Sequence, residues 1–594
     1  MTVSTGHCRG QPDTMRDRTE PGRLTGDTGA GFGVGQGHAD ALMLRHGRWK
    51  NPRHAAAPDR SPMKLVIDSV VLLAYFSVIV AIGLSQRKKS DSVEGYTLGE
   101  RQIAWWAVLA SILAAEISAA TFLGAPESGY THRNWAYAQF AIGTILARII
   151  VSFLFIPLFY KHGVISLYEY LETRFGWLTR RFASGTFAIT RVLAIGTRLY
   201  VAAIVVVLAW QLWKGPVAPQ QQFLIFAVAL TLISLMTAIY TMVGGIRAVI
   251  WTDFIQVSVL VAALIFTIFF LVGKLPEGWT SAHEVMAKPY FFDFAKPSEP
   301  GLGAWVRNVL TADYTLWTAI IGITILTMST HGIDQDTVQR MLTAKNRRQS
   351  AFATIMSGIV DLPVVSAFIL IGVLLFAYYQ HFPDPTLPRA ADGTLETRNV
   401  FPHFILTQMP AGLRGLVVAG IMATAMGSLS TALNALATSF ARDFLFERGQ
   451  GALTESQRVT ILRRCTLAFA VAIIFVGVVT SYYVTYHPKT QIIPLVLGIL
   501  GFTFGSLLGI FLVGIFFKSR GNDFGNVLAM CLGFAAVVFM SNAGLQKLAG
   551  IDNPLVLAFP WRIACGALVT VLVAVCFPTP RDRVEATAAV TERA

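Results

Sequence analysis

Three short stretches of this sequence set polar side chains among apolar ones in ways that could bind ions. The first is Ser111–Gly124, SILAAEISAATFLG, where Glu116, Ser118 and Thr121 interrupt an apolar run ended by Gly124 and Pro126. A carboxylate at membrane depth costs about 3 kcal/mol on insertion scales, so it faces a cavity or a partner. Small residues with Gly and Pro suit a broken helix whose freed carbonyls can bind a cation. The same small residues also suit a tight helix–helix contact, and both readings stay open.

The second stretch is Gly244–Gln256, GGIRAVIWTDFIQ. Gly244 and Gly245 end one apolar run, and Asp253 sits a turn or two into the next. It reads as a second cation or proton site, or as a hydrogen-bonded structural carboxylate near the membrane surface. The third is Ile421–Asp443, IMATAMGSLSTALNALATSFARD. Thr424, Ser428 and Thr431 recur at three to four residues and so share a helix face, with Ser430 and Asn434 beside it. Hydroxyl and carbonyl oxygens suit a hard cation such as sodium. Such hydroxyls also commonly bond the carbonyl one turn back.

Elements that can hold these groups follow from the composition. Of 594 residues, 54% are hydrophobic and only 14% charged. The apolar residues form blocks of about 20, the length that crosses ~30 Å of hydrocarbon. Runs near 65–85, 104–125, 135–160, 183–212, 222–243, 249–273, 314–333, 352–379, 411–440, 463–485, 490–517, 525–542 and 560–577 predict an all-α polytopic membrane protein with about 13 transmembrane helices.

Lys and Arg concentrate in alternate loops, including QRKKS, DTVQRMLTAKNRRQS and RDFLFERGQGALTESQRVTILRR. The positive-inside rule then sets the N-terminus outside and the C-terminus inside. It also accounts for the net charge of +14 without a nucleic-acid partner. The five cysteines show no metal-ligand spacing. Residues 1–62 are polar and Gly-rich with no apolar run, which predicts a disordered extension. Met63 reads as the natural start of a transmembrane domain spanning 63–577, with 578–594 as a cytoplasmic tail.

Together the motifs resemble the solute:sodium symporter family, which includes sodium/glucose, proline and sialic acid transporters. GERQIAWWAVLASILAAEISAATFLGAP is similar to that family's first core helix, GGIRAVIWTDFIQ to its signature at the fifth, DQDTVQRMLTAKN to the end of the sixth, and AGIMATAMGSLSTALNALAT to the eighth. The likeness runs in order over roughly residues 65–520. It implies a LeuT-type core of two five-helix inverted repeats, near 104–273 and 314–517, with a midplane site between them. It also implies a multi-pass cytoplasmic-membrane symporter that takes Na+ as coupling ion and imports a small organic solute.

Carried over by position, the main sodium site falls on the carbonyls of Ala114, Ile117 and Thr424 and the hydroxyl of Ser428. The family usually has two adjacent hydroxyl residues there; Gly427 stands at the first, removing one potential ligand. A second cation site falls on Asp253, Ser430 and Thr431. For the solute, Glu116, Ser118 and Thr121 at the expected break are joined by Arg198, a charge inside an apolar span. Arg198 suits bidentate contact with a solute carboxylate, making a carboxylated sugar the expected solute, or it pairs with Glu116. Gln139, Thr330 and His331 are weaker lining candidates, and His331 could merely cap carbonyls.

Three other functions compete. An enzyme lacks support, since no nucleophile–base cluster, metal motif or phosphate loop is found. A membrane sensor would need a signalling module, and residues 578–594 are too few for one. A proton-coupled carrier, or one for a neutral sugar, stays open because Glu116 and Asp253 could each carry a proton.

Overall fold

A computed structural model describes residues 62–87, 90–215, 217–287, 291–297, 300–389, 393–446, 453–487, 492–541 and 557–585. The proposed extension therefore lies outside the described residues, apart from Pro62. Among the described residues the fold is helical, with only isolated bridges such as Ile103 to Ala344.

The longest apolar runs become helices: α1 (Pro62–Ser85), α2 (Trp105–Glu116), α3 (Ala119–His132), α4 (Phe140–His162), α5 (Trp177–Lys214) and α6 (Pro219–Lys274). They continue as α7 (Thr324–Gly332), α8 (Gln335–Met341), α9 (Arg347–His381), α10 (Leu413–Phe440), α11 (Glu455–Tyr486), α12 (Ile492–Phe516), α13 (Asp523–Met540) and α14 (Phe559–Ala574). Among the described residues, eight helices are long and apolar enough to cross a membrane, and the bent pair α2–α3 makes a ninth. Large apolar side chains such as Phe153, Ile189, Phe269 and Phe475 project from these helices without cover. A bilayer supplies that cover; water would not.

Two breaks shape the interior. At 1.5 Å per residue, the 56 residues of α6 would span about 84 Å if straight, far beyond ~30 Å of hydrocarbon. Gly245 divides them, with φ 55° and ψ −152°. A Cβ there would lie 2.6 Å from Tyr96 O, so glycine is required on both conformational and steric grounds. The run near 104–125 is broken as well: the axes either side of Ile117–Ser118 differ by 65°.

α10 is the central helix. Its most apolar window is 89% buried, against 22% for α1 and 28% for α11, so its hydroxyls cannot be lipid-facing. It packs along α6, while α3 and α4 pack on α9. The α3–α9 contact runs through Gly129 and Gly372, where a side chain would collide with Ile369 O and Pro126 O respectively. Small residues at such a crossing let two backbones touch.

Candidate functional site

The break between α2 and α3 follows from local hydrogen bonding. In a continuous helix Ser118 N would bond Ala114 O; instead it donates to Glu116 O at 2.9 Å. Thr121 N, the natural partner of Ile117 O, turns to Ser118 Oγ at 3.4 Å, making Ser118 the N-cap of α3. The carbonyls of Ala114 and Ile117 are thereby released from the helix ladder.

The facing segment of α10 supplies hydroxyls whose protons are already used. Thr424 Oγ1 donates to Ile421 O at 2.7 Å and Ser428 Oγ to Thr424 O at 3.0 Å. Ser430 Oγ donates to Gly427 O at 3.1 Å, and Thr431 Oγ1 to Gly427 O and Ser428 O at 2.8 and 3.1 Å. This is the back-bonding that the residue types alone allow. It leaves the oxygen lone pairs free to face a cation. α10 meets α2 at Gly427, whose missing Cβ would be 3.3 Å from Ala114 O.

Asp253 is fully buried nearby. Its Oδ2 accepts from Ser111 Oγ at 2.5 Å and lies 3.7 Å from Arg340 Nη2. Arg340 reaches Asp336 Oδ1 at 3.3 Å, and Arg191 pairs with Asp334 and, at 3.4 Å, with Asp336. α2, α5, α6 and α8 are thus joined by one buried charge network.

On the other side of the break lies a cavity of about 580 Å³. Glu116, Ser118, Thr121 and Arg198 line it together, and Glu127 and Asp361 also belong to the lining. Glu116 is paired with Arg148 of α4, which is fully buried, and its Oε1 lies 3.1 Å from His331 Nε2. The Glu116–Arg198 pairing open to the sequence is therefore taken by Arg148. The carboxylates electrostatically nearest Arg198 are Asp336 and Asp334, both engaged by Arg191. Among the described residues Arg198 forms no ion pair, and its Nε is buried without a hydrogen bond.

The three weaker candidates stand behind the wall. Gln139 is buried and donates from Nε2 to Tyr314 O at 2.9 Å, fixing a residue that lines the cavity. Thr330 Oγ1 is 3.0 Å from His331 Nδ1, and His331 approaches Glu116 rather than capping carbonyls. Arg148 and Asp361 were missed. Each is a lone charge within an apolar run, ILARIIVSF and SGIVDLPVV, so the rule that singled out Arg198 finds them too.

The sodium:solute symporter family model matches residues 96–533. The chain belongs to the sodium:solute symporter family. Among its relatives, the sodium/sialic acid symporter NanT of Aliivibrio fischeri is 30% identical over 481 residues, covering 80% of this chain and 88% of the relative. Sodium/glucose cotransporter 4 of Mus musculus is 23% identical, covering 87% and 76%. A solved structure of a Na+-coupled sialic acid symporter, substrate-bound and outward-open, superposes with a TM-score of 0.70 at 26% identity, covering 86% of this chain and 97% of that one. As a sodium:solute symporter, the chain is a multi-pass plasma-membrane protein that couples Na+ to the movement of a small solute.

Proposed function

We propose that this symporter imports a small carboxylated solute, an acidic sugar in particular, and that Arg198 holds the carboxylate. The observation that carries this is an arginine in the cavity wall that forms no ion pair among the described residues, the carboxylates acting on it, Asp334 and Asp336, being engaged by Arg191. A solute carboxylate supplies that charge with two parallel hydrogen bonds. Ser118 and Thr121 add hydroxyl donors at the N-terminus of α3, whose dipole favours negative charge. Relatives named for sialic acid fit this reading.

The coupling ion then sits on the other face of the break. Ala114 O, Ile117 O, Thr424 O and Ser428 Oγ are its ligands at the main position, with Asp253, Ser430 and Thr431 at the second. The architecture is about 13 spans with the two five-helix repeats of the family, N-terminus outside and C-terminus inside. In that orientation α3 runs outward, so the wall made by Glu127 and Thr131 faces the outside. The domain begins at Met63, with 578–594 as its tail.

A neutral sugar is the second reading. It is favoured by three carboxylates, Glu116, Glu127 and Asp361, in the same lining, and by the glucose cotransporters among the relatives. Competition decides between them. Proteoliposomes driven by a sodium gradient are challenged with neutral sugars and their acid counterparts, with wild type and Arg198→Gln. The proposal expects acids to compete best and to lose that advantage in Arg198→Gln. Best competition by neutral sugars, unaltered by the substitution, refutes it.

A further inference from the structure

Gly427 removes a hydroxyl from the cation region but opens a space that other oxygens face. A Cβ on Gly427 would lie 3.0 Å from Gln256 Oε1, 3.3 Å from Ala114 O and 3.5 Å from Asp253 Oδ1. Three oxygens from α2 and α6 therefore converge on one spot beside α10. Gln256 is 1% exposed and Asp253 fully buried. Asp253 Oδ1 has no hydrogen-bond partner, and Gln256 Oε1 and Nε2 form no well-directed hydrogen bond, their nearby groups being the hydroxyls of Tyr75 and Tyr240. A buried amide oxygen and a buried carboxylate oxygen left open at one point cost several kcal/mol unless something occupies it. A hard monovalent cation meets that demand.

We propose that Gln256 is an oxygen ligand of the coupling sodium, replacing the hydroxyl that Gly427 lacks. Its carboxamide shares one ion position with Ala114 O and Asp253 Oδ1, bridging the main and second cation positions. The inference rests on placing the sodium region between α2 and α10. The glycine and the glutamine are a matched pair: a Cβ at 427 would press on the amide oxygen at 3.0 Å, so a side chain there makes Gln256 give by a few tenths of an ångström. The alternative is packing. The hydroxyls of Tyr75 and Tyr240 neighbour Gln256, and the amide could simply order them.

The test titrates sodium chloride against choline chloride on purified protein, reading thermal stabilisation and tryptophan fluorescence, with sodium-driven uptake in parallel. Gln256→Ala is expected to raise the sodium midpoint about tenfold or more, the scale on which groups that support a metal ligand act. Its melting temperature in choline serves as the baseline, and only the increment that sodium adds is compared with wild type. In a Gly427→Ser background the family hydroxyl is restored, so the same substitution should shift the midpoint less than about threefold. If Gln256→Ala does not fold, Gln256→Met keeps the bulk and removes the oxygen. An unchanged midpoint in both glutamine variants overturns the proposal. So does an equal shift with and without Gly427→Ser, which marks Gln256 as packing. Ser428→Ala separates the two levels. If it moves the midpoint and Gln256 does not, this inference fails alone; if neither does, the placement of the sodium region fails.

Discussion

The Arg148–Glu116 pair joins α4 to the last turn of α2 at the floor of the cavity, and its removal should be costly in one direction more than the other. Arg148 has no exposed surface, whereas Glu116 keeps 23% side-chain exposure and has His331 at 3.1 Å. Taking away one partner of a buried pair costs about 3–5 kcal/mol, because the other charge is left uncompensated. Arg148→Met strands a carboxylate that retains some solvent and a histidine, so about 3 kcal/mol is expected. Glu116→Leu strands a guanidinium whose Nε and Nη1 already lack partners, and nearer 5 kcal/mol is expected. Replacing both with apolar groups removes the stranded charge, and such swaps are often neutral. The double variant should therefore recover more than half of the loss. Equilibrium unfolding of purified protein in detergent gives the four corners of the cycle. Additive losses, or a Glu116 variant no less stable than wild type, would refute the claim that these two charges compensate each other.

Ser428→Ala should raise the sodium needed for half-maximal uptake about tenfold or more; unchanged sodium dependence would remove Ser428 from the site. Gly372→Ala sets a methyl into Pro126 O, which should part α3 from α9 and cost about 1–3 kcal/mol of stability as overpacking does; thermal unfolding checks it. Outside the spans, burial raises the Asp384 carboxyl, but hydrogen bonds from Thr386 Oγ1 and N and from His403 outweigh it and hold it below the usual carboxylate range. Its stabilising contribution is then full above about pH 3.9 and lost as pH falls through the lowered value. Asp384→Asn should flatten that part of an unfolding profile taken between about pH 2 and 5; a profile parallel to wild type would count against it.

The apolar blocks and the positions of the breaks were legible because both are local. Helix length follows from hydropathy, and the small residues around Glu116 mark where α2 breaks from α3, although the break falls at Ile117–Ser118 and Gly124 and Pro126 sit inside α3. Gly245 was legible as a span end, and its non-helical backbone divides the 56 residues there. Partner choice was not legible. Nothing local tells Glu116 to take Arg148, 32 residues on, rather than Arg198; helix packing decides it, through Gly358, whose missing side chain leaves room for the Arg148 guanidinium. Gln139 shows the converse. Its polarity suggests a lining residue, yet its side chain secures the Tyr314 backbone from behind.

The geometry of the break also bears on coupling. Ser111, which bonds Asp253, and Glu116, which lines the cavity, are five residues apart on α2, about 7.5 Å along one rigid helix. In the proposed arrangement the carbonyls released at the break hold the cation, while Ser118 and Thr121 beyond it line the solute cavity. A cation that draws Ala114 O and Ile117 O toward α10 must therefore alter the angle at which α3 presents its N-terminus to the cavity. Linkage makes the effect reciprocal: whatever factor sodium adds to solute affinity, solute must add to sodium affinity. A substitution confined to the cation face, such as Ser428→Ala, should consequently shrink both factors equally while leaving solute affinity in sodium-free medium unaltered. Factors undiminished by the substitution would mean that Ser428 takes no part in the coupling. A changed sodium-free affinity would mean that α10 touches the solute directly.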